Sequence, residues 1–154
     1  MRVYRIEREK YLSSTLNGIG PSLTDGFRWN SRNTFLVYTS ATRSLAMLEV
    51  TAHLDMNVDL PTDRFFVEIE IPDELEILTL EPSALPLDWN NKPPGGGSQL
   101  LGDNFVRSMT GAVLRVPSCI IPQEFNYLIN PFHPSAQKIK VVKHQMLQFD
   151  HRIL

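Results

Sequence analysis

Residues 35–53 read Phe-Leu-Val-Tyr-Thr-Ser-Ala-Thr-Arg-Ser-Leu-Ala-Met-Leu-Glu-Val-Thr-Ala-His, and the hydrophobic pattern changes within this stretch. Its first part is rich in β-branched and aromatic residues, which predicts a strand over residues 35–38. Thr42 or Ser44 then offers a hydroxyl that can cap the N-terminus of a helix. Beyond that point apolar residues recur at helical spacing. We therefore predict a strand followed by a helix that carries Glu49 and runs through Leu45, Leu48, Ala52 and His53.

The rest of the chain is predicted to be mostly strands, separated by segments rich in glycine and proline. Further strands are predicted over residues 3–6, 27–29, 65–71, 76–80, 112–116, 127–129 and 138–142. A short helix is predicted over residues 99–108, and loops over residues 17–26 and 82–97. Because strands outnumber helices and no regular βαβ alternation is visible, we expect an α+β fold with a mixed or antiparallel sheet. A length of 154 residues predicts a single domain over residues 1–154.

Composition narrows the class of protein. The formal net charge is −2, from 15 Lys and Arg against 17 Asp and Glu. Proteins that hold nucleic acid by its phosphates carry a basic excess, whereas the basic residues here are scattered, so no direct nucleic-acid partner is expected. No stretch approaches the ~20 apolar residues of a membrane helix, and the first residues lack the apolar run of a signal peptide. With the single Cys119, which cannot form an internal disulfide, these features favour the cytoplasm.

Standard motifs for ligand binding and catalysis are absent from the sequence. No GxGxxG follows a strand and no GxxxxGK[ST] occurs, so neither Rossmann nor P-loop binding is supported. The four histidines form no HExxH pattern, and with only one cysteine no metal site is expected. Ser118 lacks the GxSxG turn of a hydrolase nucleophile, and an unpaired cysteine such as Cys119 is usually a buried hydrophobic residue.

Several short segments, taken together and in their order, nevertheless resemble a known family. They are Gly-Phe-Arg-Trp-Asn at 26–30, Val-Tyr-Thr-Ser at 37–40, Ser-Leu-Ala-Met-Leu-Glu at 44–49, Leu-Arg-Val-Pro-Ser at 114–118, Asn-Tyr-Leu-Ile-Asn-Pro-Phe-His-Pro at 126–134 and Phe-Asp-His-Arg at 149–152. This series resembles the RES domain, which is named for its Arg, Glu and Ser residues. The resemblance extends over essentially the whole chain.

The resemblance implies both a fold and a function. RES domains are similar in fold to ADP-ribosyltransferases, and RES proteins are toxins encoded beside an Xre-type helix-turn-helix antitoxin, with which a hetero-oligomer is expected. They cleave the nicotinamide–ribose bond of NAD by hydrolysis, or with inorganic phosphate as co-substrate, and a few transfer ADP-ribose to a protein. NAD is then a substrate, and no cofactor is expected. The resemblance carries catalytic roles to Arg28, Tyr38, Glu49 and Ser118. It carries the binding of NAD to Arg5, Arg28, Tyr38 and Asn126.

The chemistry of the bond agrees with a single acid in the site. Cleavage of a glycosidic bond passes through an oxocarbenium-like ribosyl cation, which an adjacent carboxylate stabilises. Ordinary sugars need a second acid to protonate the leaving group, but the nicotinamide of NAD is already a cation and departs neutral. Glu49 alone can therefore serve.

The other candidate residues suit the rest of the substrate. Arg28 and Arg5 can grip phosphate oxygens with the guanidinium fork. Tyr38 offers a flat face for the nicotinamide ring, and Ser118 and Asn126 can hydrogen-bond ribose or carboxamide groups. Without the resemblance, Arg28 would be interpreted as a stacked, salt-bridged structural arginine, Tyr38 as a packed core residue and Ser118 as a turn cap.

Three functions remain open from the sequence. The first is a toxin that degrades NAD as a glycohydrolase or phosphorylase and is neutralised by an antitoxin. The second is a protein ADP-ribosyltransferase, which differs from the first only in the acceptor. The third is a non-catalytic nucleotide-binding module, which would release no nicotinamide from NAD.

Overall fold

The structure, a computed structural model, describes residues 1–54 and 60–153. Its strands are β1 (Arg2–Arg8), β2 (Val37–Ser40), β3 (Arg64–Glu70), β4 (Ile77–Thr79), β5 (Val113–Pro117), β6 (Phe125–Ile129) and β7 (Lys140–Met146). Its α-helices are α1 (Ile19–Ser22), α2 (Arg43–Thr51) and α3 (Gly96–Ser108), and 3-10 helices cover Glu9–Ser14, Pro82–Ala84 and Pro134–Lys138. The strands form one sheet in the order β4-β5-β6-β2-β1-β3-β7. Only β4 and β5 pair in parallel among the described strands, so the sheet is mixed and the predicted α+β class is confirmed.

The alternation of side chains along each strand gives the sheet two faces with different cover. One face carries a core of apolar side chains that includes Val3, Val37, Val67, Val113 and Ile129. The other face, here called the helix face, carries Leu114, Val116 and Leu128 beneath Phe105 and Val106 of α3. α2 also lies over the helix face, where its Arg43 stacks 4.4 Å above the ring of Tyr4 on β1.

The strand and helix predicted from residues 35–53 are confirmed, with shifted boundaries. β2 covers residues Val37–Ser40, which is later than the predicted 35–38. The side chain of Thr42 accepts a hydrogen bond from the backbone N–H three residues on, at 3.1 Å, so Thr42 rather than Ser44 caps the helix. α2 ends at residue 51, and His53 lies just beyond it.

The predicted strand at residues 27–29 is wrong, because this segment is a tight turn. Gly26 has a φ of 107°, and a Cβ at this position would meet the carbonyl oxygen of Asn30 at 2.1 Å. Phe27 and Asn30 face each other across a single β-bridge. The backbone N–H of Trp29 donates to the hydroxyl of Tyr38 and not to a neighbouring strand.

The remaining predicted elements are present with moderate changes in extent. α3 begins at Gly96 rather than at residue 99, and the predicted loops contain the single turn of α1 and the 3-10 helix at Pro82–Ala84. The strands predicted near residues 3, 65, 76, 112, 127 and 138 correspond to β1 and to β3 through β7. Within residues 1–54 and 60–153, no helix has the length and apolar character needed to cross a membrane.

Candidate functional site

Glu49 is the centre of a hydrogen-bonded cluster on the helix face. α2 brings its carboxylate to the residues where β5 ends and β6 begins. The hydroxyl of Ser118 donates to Oε1 of Glu49 at 2.8 Å, and Nδ2 of Asn126 donates to the same oxygen at 2.6 Å. Within the described part of the chain no donor bonds Oε2. The carboxylate is thus fixed through one oxygen and can present the other to a substrate.

Ser118 and Asn126 use their polar groups inside the protein. Ser118 is fully buried, and its Oγ also accepts from two backbone N–H groups of the following turn, both at 3.1 Å. Asn126 is buried as well, and its Oδ1 accepts from the hydroxyl of Ser40 at 2.7 Å. These side chains bond Glu49 and Ser40, and the expectation that Ser118 and Asn126 also hydrogen-bond the ribose or carboxamide stays a prediction. Their contacts are those of positioning residues, which orient Glu49.

Tyr38 lies beside this cluster on β2. It precedes Ser40 by two residues, so both side chains share the helix face and their Cα atoms are about 7 Å apart. Its hydroxyl donates to Oδ1 of Asn30 at 2.6 Å and accepts from the backbone N–H of Trp29 at 3.1 Å. Burial raises the pKa of Tyr38, although the Trp29 N–H acts in the opposite direction. The hydroxyl therefore stays neutral at physiological pH, and the ring is the part of Tyr38 that can face a ligand.

The aromatic ring of Phe27 lies between Tyr38 on β2 and His53, just beyond the end of α2. The ring of Phe27 lies edge-on to that of Tyr38, with 5.7 Å between centroids, and edge-on to that of His53 at 6.1 Å. His53 follows Glu49 by four residues, about one helical turn. Phe27 thus connects Tyr38 with a residue that follows Glu49 by about one helical turn.

Arg28 connects the turn at residues 27–30 by hydrogen bonds to the loop at residues 89–91. Its Nη1 donates to the carbonyl oxygens of Trp89 at 2.7 Å and Asn91 at 3.0 Å. The thiol of Cys119 donates to the intervening carbonyl of Asn90 at 3.5 Å. Arg28 makes no other hydrogen bond within the described residues, so Nε and Nη2 remain able to bind an anion. Contacts therefore connect Arg28 through this loop to the residue next to Ser118.

Arg5 is not part of this arrangement. It pairs in register with Val67, whose side chain belongs to the core on the opposite face of the sheet. One guanidinium nitrogen bonds Glu7 at 3.1 Å, and the buried Nε has no partner within the described residues. Burial lowers the pKa of Arg5, and the charge of Glu7 partly offsets this. The structure thus places Arg5 on the face of the sheet opposite Glu49, because adjacent strand residues point to opposite faces, and its role in binding NAD stays a prediction.

Four side chains near the site were not singled out from the sequence. Ser40 could have been found from the strand period, because it shares the face of Tyr38. Asn30 is fully buried and braces Tyr38, a role that its place in a polar turn did not indicate. The helical spacing could have placed His53 one turn after Glu49, whereas the position of Phe27 depends on the turn geometry, for which the sequence carried no signal.

Similarity to known proteins defines the class of fold. The structure matches a chain of the Mycobacterium tuberculosis MbcT–MbcA toxin–antitoxin complex with a TM-score of 0.72 and 17% sequence identity. The match covers 95% of this chain and 83% of the other. The fold is thus one that occurs in a toxin–antitoxin complex.

Sequence similarity then shows the family. The RES domain matches residues 2–150, and the chain belongs to the RES domain family. A protein of Sphingobium sp. (strain YBL2), called Prs ADP-ribosylating toxin, is 40% identical over 148 residues, which are 94% of this chain and 89% of that protein. Toxin Res of Yersinia enterocolitica serotype O:8 / biotype 1B is 35% identical over 154 residues, 99% of each chain. The resemblance drawn from the sequence is confirmed, and the relatives are toxins.

Proposed function

We propose that this RES-domain protein is a toxin that breaks the nicotinamide–ribose bond of NAD. The observation that carries the proposal is the carboxylate of Glu49, held at Oε1 by Ser118 and Asn126 while Oε2 has no protein donor within the described residues. A fixed negative charge of this kind stabilises a cation that develops beside it.

The reaction needs no acid on the leaving group. The carbon–nitrogen bond breaks with its electron pair moving to the ring nitrogen, so nicotinamide leaves neutral and the ribosyl carbon becomes cationic. Glu49 stabilises that cation until the acceptor adds. If the acceptor is water, it loses a proton to solvent and free ADP-ribose results; if it is inorganic phosphate, a phosphorylated ADP-ribose forms.

Arg28 and Tyr38 are assigned to substrate binding. The unbonded N–H groups of Arg28 suit the pyrophosphate, because guanidinium groups bind phosphate oxygens in a forked geometry. The ring of Tyr38, flanked by Phe27, offers an apolar surface for the nicotinamide.

A second candidate function is ADP-ribosyl transfer to a protein. The name of the Sphingobium relative, an ADP-ribosylating toxin at 40% identity, favours it. The bond broken is the same, and a target side chain takes the place of water or phosphate.

An antitoxin partner belongs to the proposal. The relatives called toxins and the likeness to a chain of a toxin–antitoxin complex support it. We assign the partner to the Xre type on the resemblance of the sequence, and we place the activity in the cytoplasm, where NAD is available.

The decisive assay measures nicotinamide released when the purified chain is mixed with NAD. We expect release by the wild type and by Glu74→Gln, a control at an exposed acid, but strongly reduced release by Glu49→Gln. No release, with phosphate or a cell lysate present, would leave only the binding module.

Products identify the acceptor. ADP-ribose with purified protein alone indicates hydrolysis, and a product that requires added phosphate indicates phosphorolysis. Transfer of label from NAD to a lysate protein indicates the transferase. In cells without the antitoxin, growth arrest with a falling NAD level supports degradation, whereas arrest at a constant NAD level supports protein modification.

A further inference from the structure

An open groove of about 670 Å³ wraps the edge of the sheet at β4. One wall comes from the end of β4 and the residues that follow it, and the other comes from the β5–β6 hairpin. Leu80, Leu85, Trp89 and Phe125 make the groove largely apolar. None of the residues of the candidate site lines it. Its size lies within the range of about 300–1,000 Å³ that is usual for ligand sites.

The groove contains an arginine that forms no salt bridge within residues 1–54 and 60–153. Arg115 lies on the face opposite the helix face, and its guanidinium stacks 4.2 Å from the centre of the Phe125 ring. Its Nε is buried and has no hydrogen-bond partner within the described residues. Among the same residues no carboxylate forms a salt bridge with it, although the exposed Glu81 also lines the groove. A guanidinium stacked on a ring keeps its N–H groups free in its own plane, where they suit a carboxylate.

The rim and the sheet edge favour an extended chain over a small molecule. Leu87 stands on the rim with its side chain fully exposed, at 104% of the reference area. β4 pairs only with β5 among the described strands, so its other edge has no strand neighbour. Exposed strand edges and apolar side-chain pockets together are typical of sites that bind peptide segments.

We propose that this groove binds a segment of a partner protein in which an apolar or aromatic side chain is followed closely by a carboxylate. The carboxylate binds Arg115, and the apolar side chain packs against Trp89 and Leu87. The surface is distinct from the Glu49 cluster, yet the carbonyl of Trp89 accepts from Arg28 at 2.7 Å. The bound segment would therefore lie against the residue that holds Arg28.

Binding can be followed by the fluorescence of the purified chain, because Trp29 and Trp89 are its only tryptophans and Trp29 is buried. The probes are capped five-residue peptides with Leu, Phe or Tyr and, one to three positions later, Asp or Glu. Each has a mate with Asn or Gln in place of the acid. We expect at least one acidic peptide to bind roughly tenfold more tightly than its mate. Arg115→Gln should abolish that preference, and Arg115→Lys should keep part of it.

Two further variants make the test independent of any misfolding of Arg115→Gln. Arg107→Gln, at an exposed arginine of α3 outside the groove, should keep the full preference. Leu87→Ser should weaken the binding of every peptide, because it removes an apolar contact at the rim of the groove. It should not disturb the fold, because the side chain of Leu87 is fully exposed. The proposal is overturned if no acidic peptide is preferred, if the preference survives in Arg115→Gln, or if phenylacetate binds as tightly as the peptides. None of these measurements involves NAD, so their failure is distinct from failure of the proposed function.

Discussion

Replacement of Glu49 by glutamine separates the charge of this residue from its shape. The amide oxygen can take the place of Oε1 and still accept from Ser118 and Asn126, which now bond it at 2.8 and 2.6 Å. The amide NH₂ then occupies the position of Oε2. The cluster keeps its hydrogen bonds, and only the negative charge beside the ribosyl carbon is lost.

The expected loss of kcat depends on whether the charge of Glu49 acts in the ground state or in the transition state. Bound NAD carries no extra positive charge on the ribose, whereas the transition state does, so the contact is strongest in the transition state. Removal of one preorganised electrostatic group of this kind costs on the order of 10²–10³ in kcat, or about 2.7–4 kcal/mol. KM should change little, since the substrate contacts proposed for Arg28 and Tyr38 are unaffected by this substitution. The two hydrogen bonds lose their ionic component, which lowers the free energy of unfolding by about 1 kcal/mol.

The assay is steady-state release of nicotinamide, with circular dichroism and thermal unfolding measured first on the same preparations. Glu74→Gln is the matched control, because it removes an exposed acid on the segment between β3 and β4. A folded Glu49→Gln enzyme with turnover within about threefold of the wild type would falsify the electrostatic role. A large rise in KM at unchanged kcat would instead make Glu49 a residue that binds the ground state.

Three further variants test the neighbouring residues. Arg28→Ala should raise KM for NAD more than it lowers kcat, since a phosphate contact exists in the ground state; an unchanged KM in the nicotinamide assay would contradict this. Tyr38→Phe keeps the ring but leaves Asn30 and the Trp29 N–H without their partner, so thermal unfolding should show a loss of about 1–3 kcal/mol with turnover largely retained; the reverse pattern would assign the hydroxyl to catalysis. Asn126→Asp places a second carboxyl group against Oε1 of Glu49, which raises the pKa of the introduced aspartate above its usual ~4. The folded state then binds the extra proton more tightly than the unfolded state, so the free energy of unfolding of this variant should fall as the pH rises from about 4 towards the raised pKa, whereas Asn126→Ala should show no such slope.

The strand–helix unit at residues 35–53 could be predicted because its signals are local. A hydroxyl cap and helical spacing of apolar residues limited the N-terminus of α2 to two candidate caps, Thr42 and Ser44, and Thr42 is the cap in the structure. The segment at 27–29 has β-forming side chains but is a turn, because Gly26 at φ 107° brings the backbone back on itself. The β-propensity of these side chains favours a strand, but the positive φ of Gly26 imposes a turn instead.

The sequence predicted which residues lie together in the site better than it predicted which groups each of them contacts. Sequence order brought Glu49, Ser118 and Asn126 together as candidates, and they are in contact. That Ser118 and Asn126 bond Glu49 depends on the register of β5 against β6 and on the packing of α2, which are long-range features. The face on which Arg5 lies could not be predicted for a related reason: without the register of β1, nothing in the sequence decides whether Tyr4 or Arg5 points toward α2.

The donors that bond Glu49 are of the kind that the proposed reaction needs. An arginine or lysine would fix it equally well, but its positive charge would cancel the field at the ribosyl carbon. Ser118 and Asn126 are neutral donors, and within the described residues no lysine or arginine forms a salt bridge with Glu49. Both donors are buried, so their dipoles are already oriented before the substrate binds. The Glu49 carboxylate is therefore held by neutral, buried donors, an arrangement that the proposed reaction through a ribosyl cation would require.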